Sequence, residues 1–247
     1  MNMTHTGTQE AFGNRNLYAQ FGYGMPPVRT GGMPGAGWTP PRVQHFPYGT
    51  GPRTAMLAPP ARVVRAVEKI CVLGDSAVGK TSLVRRLAMD RFEEEYVTTV
   101  GANVLQKRIR LQYPEYGLQF RLLLQLWDVT GQKGADLNPA FFRGASGALV
   151  VGDAQRIETQ IELWKWIERF RKVAGPVPVV LAVNKTDVMD LGAFDFLLMD
   201  DISAEYDCFY LLTSARTGER VESAFHMLCE HLVRTKYLNT FRGGRAC

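Results

Sequence analysis

The segment Gly74-Asp75-Ser76-Ala77-Val78-Gly79-Lys80-Thr81 constrains this chain more than any other, because it matches the pattern G-x-x-x-x-G-K-[ST] in a telling context. It follows the short apolar run Lys69–Leu73 and opens Lys80–Met89, where Leu83, Val84 and Leu87 recur at helical spacing. A strand that turns through glycine into a helix aims successive backbone N–H groups at one point and adds the partial positive charge of the helix N-terminus. Both favour a phosphate. Lys80 is expected to reach the outer phosphates of a nucleotide and to assist catalysis, and the Thr81 hydroxyl to take one magnesium position. Asp75, Ser76, Ala77, Val78, Gly79 and Ser82 complete the expected phosphate lining. The competing reading, a plain glycine-bearing turn, leaves the lysine and threonine unexplained.

The rest of the chain supplies the setting. From Arg62 onward short apolar runs alternate with helical periodicity. Val104–Leu111 alternates like a half-buried strand, Pro114–Gly117 is a turn signal, and Leu118–Trp127 completes an antiparallel hairpin. Ala148–Gly152, Val177–Val183 and Phe209–Leu212 read as further strands. Ile161, Trp164, Ile167 and Phe170 suggest one helix face, with Trp164 and Trp166 assigned to packing and surface, and Val221 to Leu232 reads as a final helix. The fold class is therefore α/β, a P-loop NTPase with a mostly parallel sheet covered by helices on both faces. Its ligands belong beyond the carboxyl ends of the strands.

Residues 1–61 contrast with this: nine of the 13 prolines and ten of the 24 glycines fall within the first sixty positions. A disordered extension is expected there, a nucleotide domain over 62–240, and a short tail over 241–247. The tail-like N-terminus holds four arginines and one acid, so much of the net charge of +5 belongs to it. No dense Lys/Arg patch is visible in the domain, and no nucleic-acid partner is expected. Cys71, Cys208, Cys229 and Cys247 show no paired spacing, and the N-terminus has no apolar leader; both suggest a reduced, cytoplasmic chain.

Two further motifs end predicted strands. In Trp127-Asp128-Val129-Thr130-Gly131-Gln132, Asp128 can hold magnesium, Gly131 can offer its N–H to a γ-phosphate, and Gln132 can orient an attacking water. Thr99, 18 residues beyond Thr81, can complete the magnesium shell. In Asn184-Lys185-Thr186-Asp187 the aspartate can accept from two adjacent N–H groups, which guanine presents and adenine does not. The Lys185 stem can cover the base face, and Asn184 can tie this loop to the phosphate loop or the base. Ser214, Ala215 and Arg216 follow the next strand, where backbone N–H groups can meet the guanine oxygen.

Together these pieces resemble the Ras superfamily of small GTPases over about residues 66–240, and within it the Rab-type branch. Phe141-Phe142-Arg143-Gly144-Ala145 is similar to that branch's Tyr-Tyr-Arg-Gly-Ala segment. The resemblance implies a six-stranded sheet with five helices, GTP and GDP bound with Mg2+, and slow GTP hydrolysis as a molecular switch. It implies switch segments near Phe92–Gly101 and Gly131–Arg143, and effector, GTPase-activating and exchange proteins as partners of a monomer. Departures from the pattern are Lys133 for the usual acid, Ala102-Asn103-Val104 for a segment ending in phenylalanine, and Arg216 for a lysine. The lone terminal Cys247 is neither a C-a-a-X box nor a double cysteine, so no clear prenylation signal anchors the chain to a membrane. Such departures fit a relative from a lineage without the standard prenylation system, such as an archaeal one. The alternative function is a nucleotide-stabilised interaction module with negligible turnover.

Overall fold

A computed structural model describes residues 62–89, 102–129, 138–190 and 194–239. The extension over 1–61, the tail over 241–247, Thr99, Gly131, Gln132 and most of both switch segments lie outside the described residues. Six strands form one sheet: β1 (Arg62–Gly74), β2 (Ala102–Tyr113), β3 (Leu118–Val129), β4 (Gly147–Asp153), β5 (Val179–Asn184) and β6 (Phe209–Leu212). Their order is β2-β3-β1-β4-β5-β6, and every pair but β2–β3 is parallel. The helices are α1 (Lys80–Met89), α2 (Ile157–Ile161), α3 (Leu163–Ala174), α4 (Phe196–Glu205) and α5 (Val221–Leu232), which continues as a π-helical turn over Val233–Leu238.

Burial explains the pattern. β4 and β5 are buried throughout, and apolar up to their last residues Asp153 and Asn184, because helices cover both of their faces. On one face, α3 and α4 bring Leu163, Trp166, Ile167, Phe170, Met199 and Ile202 against Cys71, Leu73, Val150 and Leu181. On the other, α1 and α5 pack over the centre of the sheet, where a side chain on Gly147 would meet Leu228 and Ile70. Phe120 lies against Tyr237 on that side, ring centroids 5.4 Å apart. β2 alternates as expected, with Ile109, Leu111 and Tyr113 buried and Arg108, Arg110 and Gln112 exposed.

Three details differ from the sequence reading. The helical face expected at Ile161, Trp164, Ile167 and Phe170 is instead Leu163, Trp166, Ile167 and Phe170, and Ile161 is exposed. A spacing of three falls behind a 3.6-residue turn, and Glu162 separates α2 from α3, so the buried stripe resets at Leu163. β5 begins at Val179 rather than Val177, because Pro178 has no N–H to give the ladder and serves by its carbonyl, which accepts from the Ala148 N–H at 3.0 Å. β1 begins at Arg62, seven residues before the apolar run; its first half pairs with β3 alone, and β4 joins only from Ile70.

Candidate functional site

Three loops leave the carboxyl ends of β1, β5 and β6 and meet. The first is the turn from β1 into α1. A Cβ on Gly74 would sit 2.1 Å from the Val151 carbonyl oxygen, and one on Gly79 would sit 2.2 Å from Asn184 Nδ2. Both glycines have positive φ (135° and 100°), so backbone conformation and close approach each demand glycine. Lys80 is buried at the mouth of α1, and its Nζ donates to the carbonyls of Gly74 (3.0 Å) and Asp75 (2.8 Å). Burial lowers its pKa from 10.5 to about 8, with Asp128 and Asp75 acting the other way. The ammonium is thus held facing the loop in a setting that an anion would relieve.

The Thr81 hydroxyl donates to Asp128 Oδ2 at 2.5 Å. Asp128 is fully buried at the end of β3, so a hydroxyl and a carboxylate, both hard oxygen donors, converge beside the phosphate loop. No group of three or more His, Cys, Asp or Glu side chains with metal-holding geometry occurs among the described residues. This donor set suits a magnesium ion that takes its remaining ligands from phosphate and water.

The second loop follows β5. Asn184 is buried; its Nδ2 donates to the Val78 carbonyl (2.9 Å), and its Oδ1 accepts from the Ala215 N–H (3.0 Å). One side chain thereby joins the phosphate loop to the third loop, after β6. Lys185 takes a left-handed conformation (φ 70°). Exposed Asp187 accepts from the Ser214 hydroxyl at 2.6 Å through Oδ1. The Ser214 N–H donates to the Glu219 carbonyl, and Arg86 from α1 donates to the carbonyls of Ala215 (2.9 Å) and Arg216. Ser76 and Ala77 are exposed and Val78 is buried, with Ala77 at a φ of 60°. Ser82 is half-buried on the first turn of α1.

Sequence motifs missed four participants. Asp153, buried at the end of β4, accepts through Oδ2 from Lys185 Nζ (2.7 Å) and Arg156 Nε (3.0 Å) and through Oδ1 from the Gln155 N–H (3.0 Å). Burial alone would raise its pKa, but these bonds outweigh it and hold the carboxyl below its usual value of 3.8. Arg156 also donates through Nη2 to the Ser76 carbonyl at 3.0 Å. Trp166, expected only to pack, donates its indole N–H to Asp75 Oδ1 at 3.0 Å and so orients the second residue of the phosphate loop. Arg86 is the fourth. The only advance signal was position, since Asp153 ends an apolar strand as Asp128 and Asn184 do.

The Ras family profile matches residues 69–234. Among characterised proteins, the Ras-related protein Rab-27B of Bos taurus is 33% identical over 174 residues, covering 67% of this chain and 79% of its own length. The human Rab-27B is 31% identical over 194 residues, covering 72% and 88% respectively. The GTP-binding protein ypt5 of Schizosaccharomyces pombe is 31% identical over 187 residues, covering 74% and 86%.

Proposed function

Because the chain belongs to the Ras family and is a Rab-like small GTPase, we propose a specific division of labour for a slow, magnesium-dependent GTP switch. The observation that carries the proposal is the pair of hydrogen bonds made by the Asn184 side chain, one to the phosphate loop and one to the loop after β6, which fixes the phosphate loop and the base loop at one distance from each other.

The backbone from Asp75 to Lys80, with Thr81 and Ser82 behind it, cradles the β- and γ-phosphates, and the Lys80 ammonium exchanges its two carbonyl acceptors for phosphate oxygens. Thr81 and Asp128 would hold Mg2+, with Thr99 as the expected third protein ligand. When bound, that ion neutralises charge on the phosphate oxygens. Asp187 reads the guanine N–H groups while Ser214 braces its other side, and the purine oxygen competes with Asn184 for the Ala215 N–H. Lys185, steered by Asp153, lays its stem along the base. Gly131 binds the γ-phosphate and Gln132 orients the attacking water, whose oxygen bonds to the γ-phosphorus as the bond to the β-phosphate oxygen breaks and GDP keeps the electron pair. The protein's work is position and charge, so turnover by the chain alone is slow and a GTPase-activating partner speeds it. Effector and exchange proteins act on the same cycle. No helix among the described residues is long and apolar enough to cross a membrane.

Competition binding tests base choice: GTP and GDP displace a fluorescent guanine nucleotide, and ATP at equal concentration does not. Single-turnover hydrolysis tests catalysis: Gln132→Leu slows the chemical step by about 10–1000-fold and leaves binding within about twofold. Equal displacement by ATP would overturn the base-site reading, and an unchanged hydrolysis rate would remove Gln132 from the mechanism.

A further inference from the structure

The fold assembles a basic face that the linear sequence conceals. Directly opposed residues in a sheet share a face, and the register places Arg110 opposite Arg121 and Arg121 opposite Arg65, one arginine from each of β2, β3 and β1. The neighbouring row is Arg108, Leu123 and Val67. All four arginines are exposed, and none meets a carboxylate among the described residues. By alternation this face runs from Val63 to Lys69 on β1, Gln119 to Trp127 on β3 and Val104 to Gln112 on β2, with no aspartate or glutamate on it. The opposite face carries Phe120, Leu122, Leu124 and Leu126 into the core.

Like charges set directly opposite one another oppose folding, so this row has no structural rationale. It also lies partly outside the stretch shared with the family: Arg65 and Val67 precede residue 69, where the family match begins. The arginines wall a groove of about 450 Å³ with Val67 and Leu123 among its lining, and Val67 is 58% exposed.

We infer that this face docks an acidic segment of a partner protein, with carboxylates on the guanidinium row and an apolar side chain in the groove. Guanidinium forks match carboxylates in paired hydrogen bonds, and an aliphatic floor between charged walls fits an extended peptide better than a planar lipid surface. A second copy of this face would bring arginines to arginines. Residues 1–61 carry four arginines and one glutamate, so that segment has the wrong charge.

The test uses the full chain loaded with GDP and a short fluorescein-labelled peptide of glutamates interrupted by leucines. The wild type binds it, and binding weakens as salt rises. R110E/R121E and the milder R65Q/R108Q weaken binding at least tenfold while GDP affinity stays within twofold, which shows an intact fold. Charge reversal at exposed Lys172, on α3, leaves peptide binding unchanged. Undiminished binding in both patch variants overturns the proposal. So does binding to vesicles of phosphatidylcholine and phosphatidylserine with none to the peptide, which would assign the face to a membrane. Peptide binding that emerges only after Glu93, Glu94 and Glu95 are replaced by alanine also overturns it, because the occupant would then be the chain's own acidic run.

Discussion

At the scale of single residues, the loop between β1 and α1 keeps a cation in a buried setting. Lys80 has been driven down to a pKa of about 8 by burial, against 10.5 in the open chain. In the nucleotide-free protein the unfolded state therefore binds more protons between those values, so stability rises with pH over that window. Nucleotide affinity has the opposite sign. Phosphate favours the ammonium, and above about pH 8 the free protein must first recover a proton. Affinity for GDP, titrated from pH 7 to 10 with excess magnesium, is expected to be flat below 8 and to fall above it; in Lys80→Met the fall disappears along with most of the affinity. Asn184 makes a second residue-scale prediction. Asn184→Ala breaks both loop tethers at once, each worth about 0.5–1.5 kcal/mol. GDP release measured by stopped flow should accelerate about tenfold or more, since 1.4 kcal/mol is a factor of ten. An unchanged rate would mean that the loops keep their places without the tether.

At the scale of elements, what the sequence disclosed follows from where each element buries its surface. Strands with one apolar face or two, such as β2, β3, β4 and β6, were legible because period two and short apolar runs report burial directly. The first half of β1 was not, because Arg62 to Val67 touch only β3 and the exposed side of the ribbon, leaving little hydrophobic signal. The meeting of the loops after β1, β5 and β6 was legible because each of their motifs sets fixed residue types at fixed spacing next to a strand end. Asp153, Arg156 and Trp166 were not, since their partners lie 32, 80 and 91 residues away and no local pattern encodes such pairings. The basic face was hidden for the same reason, its arginines being contributed by three strands. One element-scale link is testable through Glu68 on β1, fully buried, which accepts from Ser146, from Tyr237 and from Lys236 Nζ at 2.8 Å. This network locks the turn after α5 to the sheet. Lys236→Ala leaves a buried carboxylate without its cation and is expected to lower unfolding free energy by about 1–3 kcal/mol in urea titrations. Lys165→Ala, whose partly exposed pair with Glu162 joins residues three apart at the start of α3, should cost under about 0.5 kcal/mol.

At the scale of the whole molecule, recognition of the base and of the phosphates must be coupled if guanine alone is to engage the switch. Two connections join the loops to which these two tasks are assigned. Asn184 is one. The other runs from the Ser76 carbonyl through Arg156 to Asp153 and on to Lys185, with all three side chains meeting at one carboxylate oxygen. The carboxyl of Asp153 is held below 3.8, so the support it gives is complete above that value and is lost as pH falls through the folded pKa. At neutral pH the strap is therefore fully charged, and its effect can be read by substitution. Arg156→Ala frees the phosphate loop from the strap, and Asp153→Asn weakens its hold on both cations. Each should speed GDP release by about 3–10-fold, within the range of a charged hydrogen bond that is partly open to solvent. If both act through one connection, the double variant releases GDP little faster than the worse single variant, giving a coupling of about 0.5–3 kcal/mol in a double-mutant cycle. Multiplying rates would show two independent contacts, in which case Asn184 alone would carry the communication between purine and triphosphate.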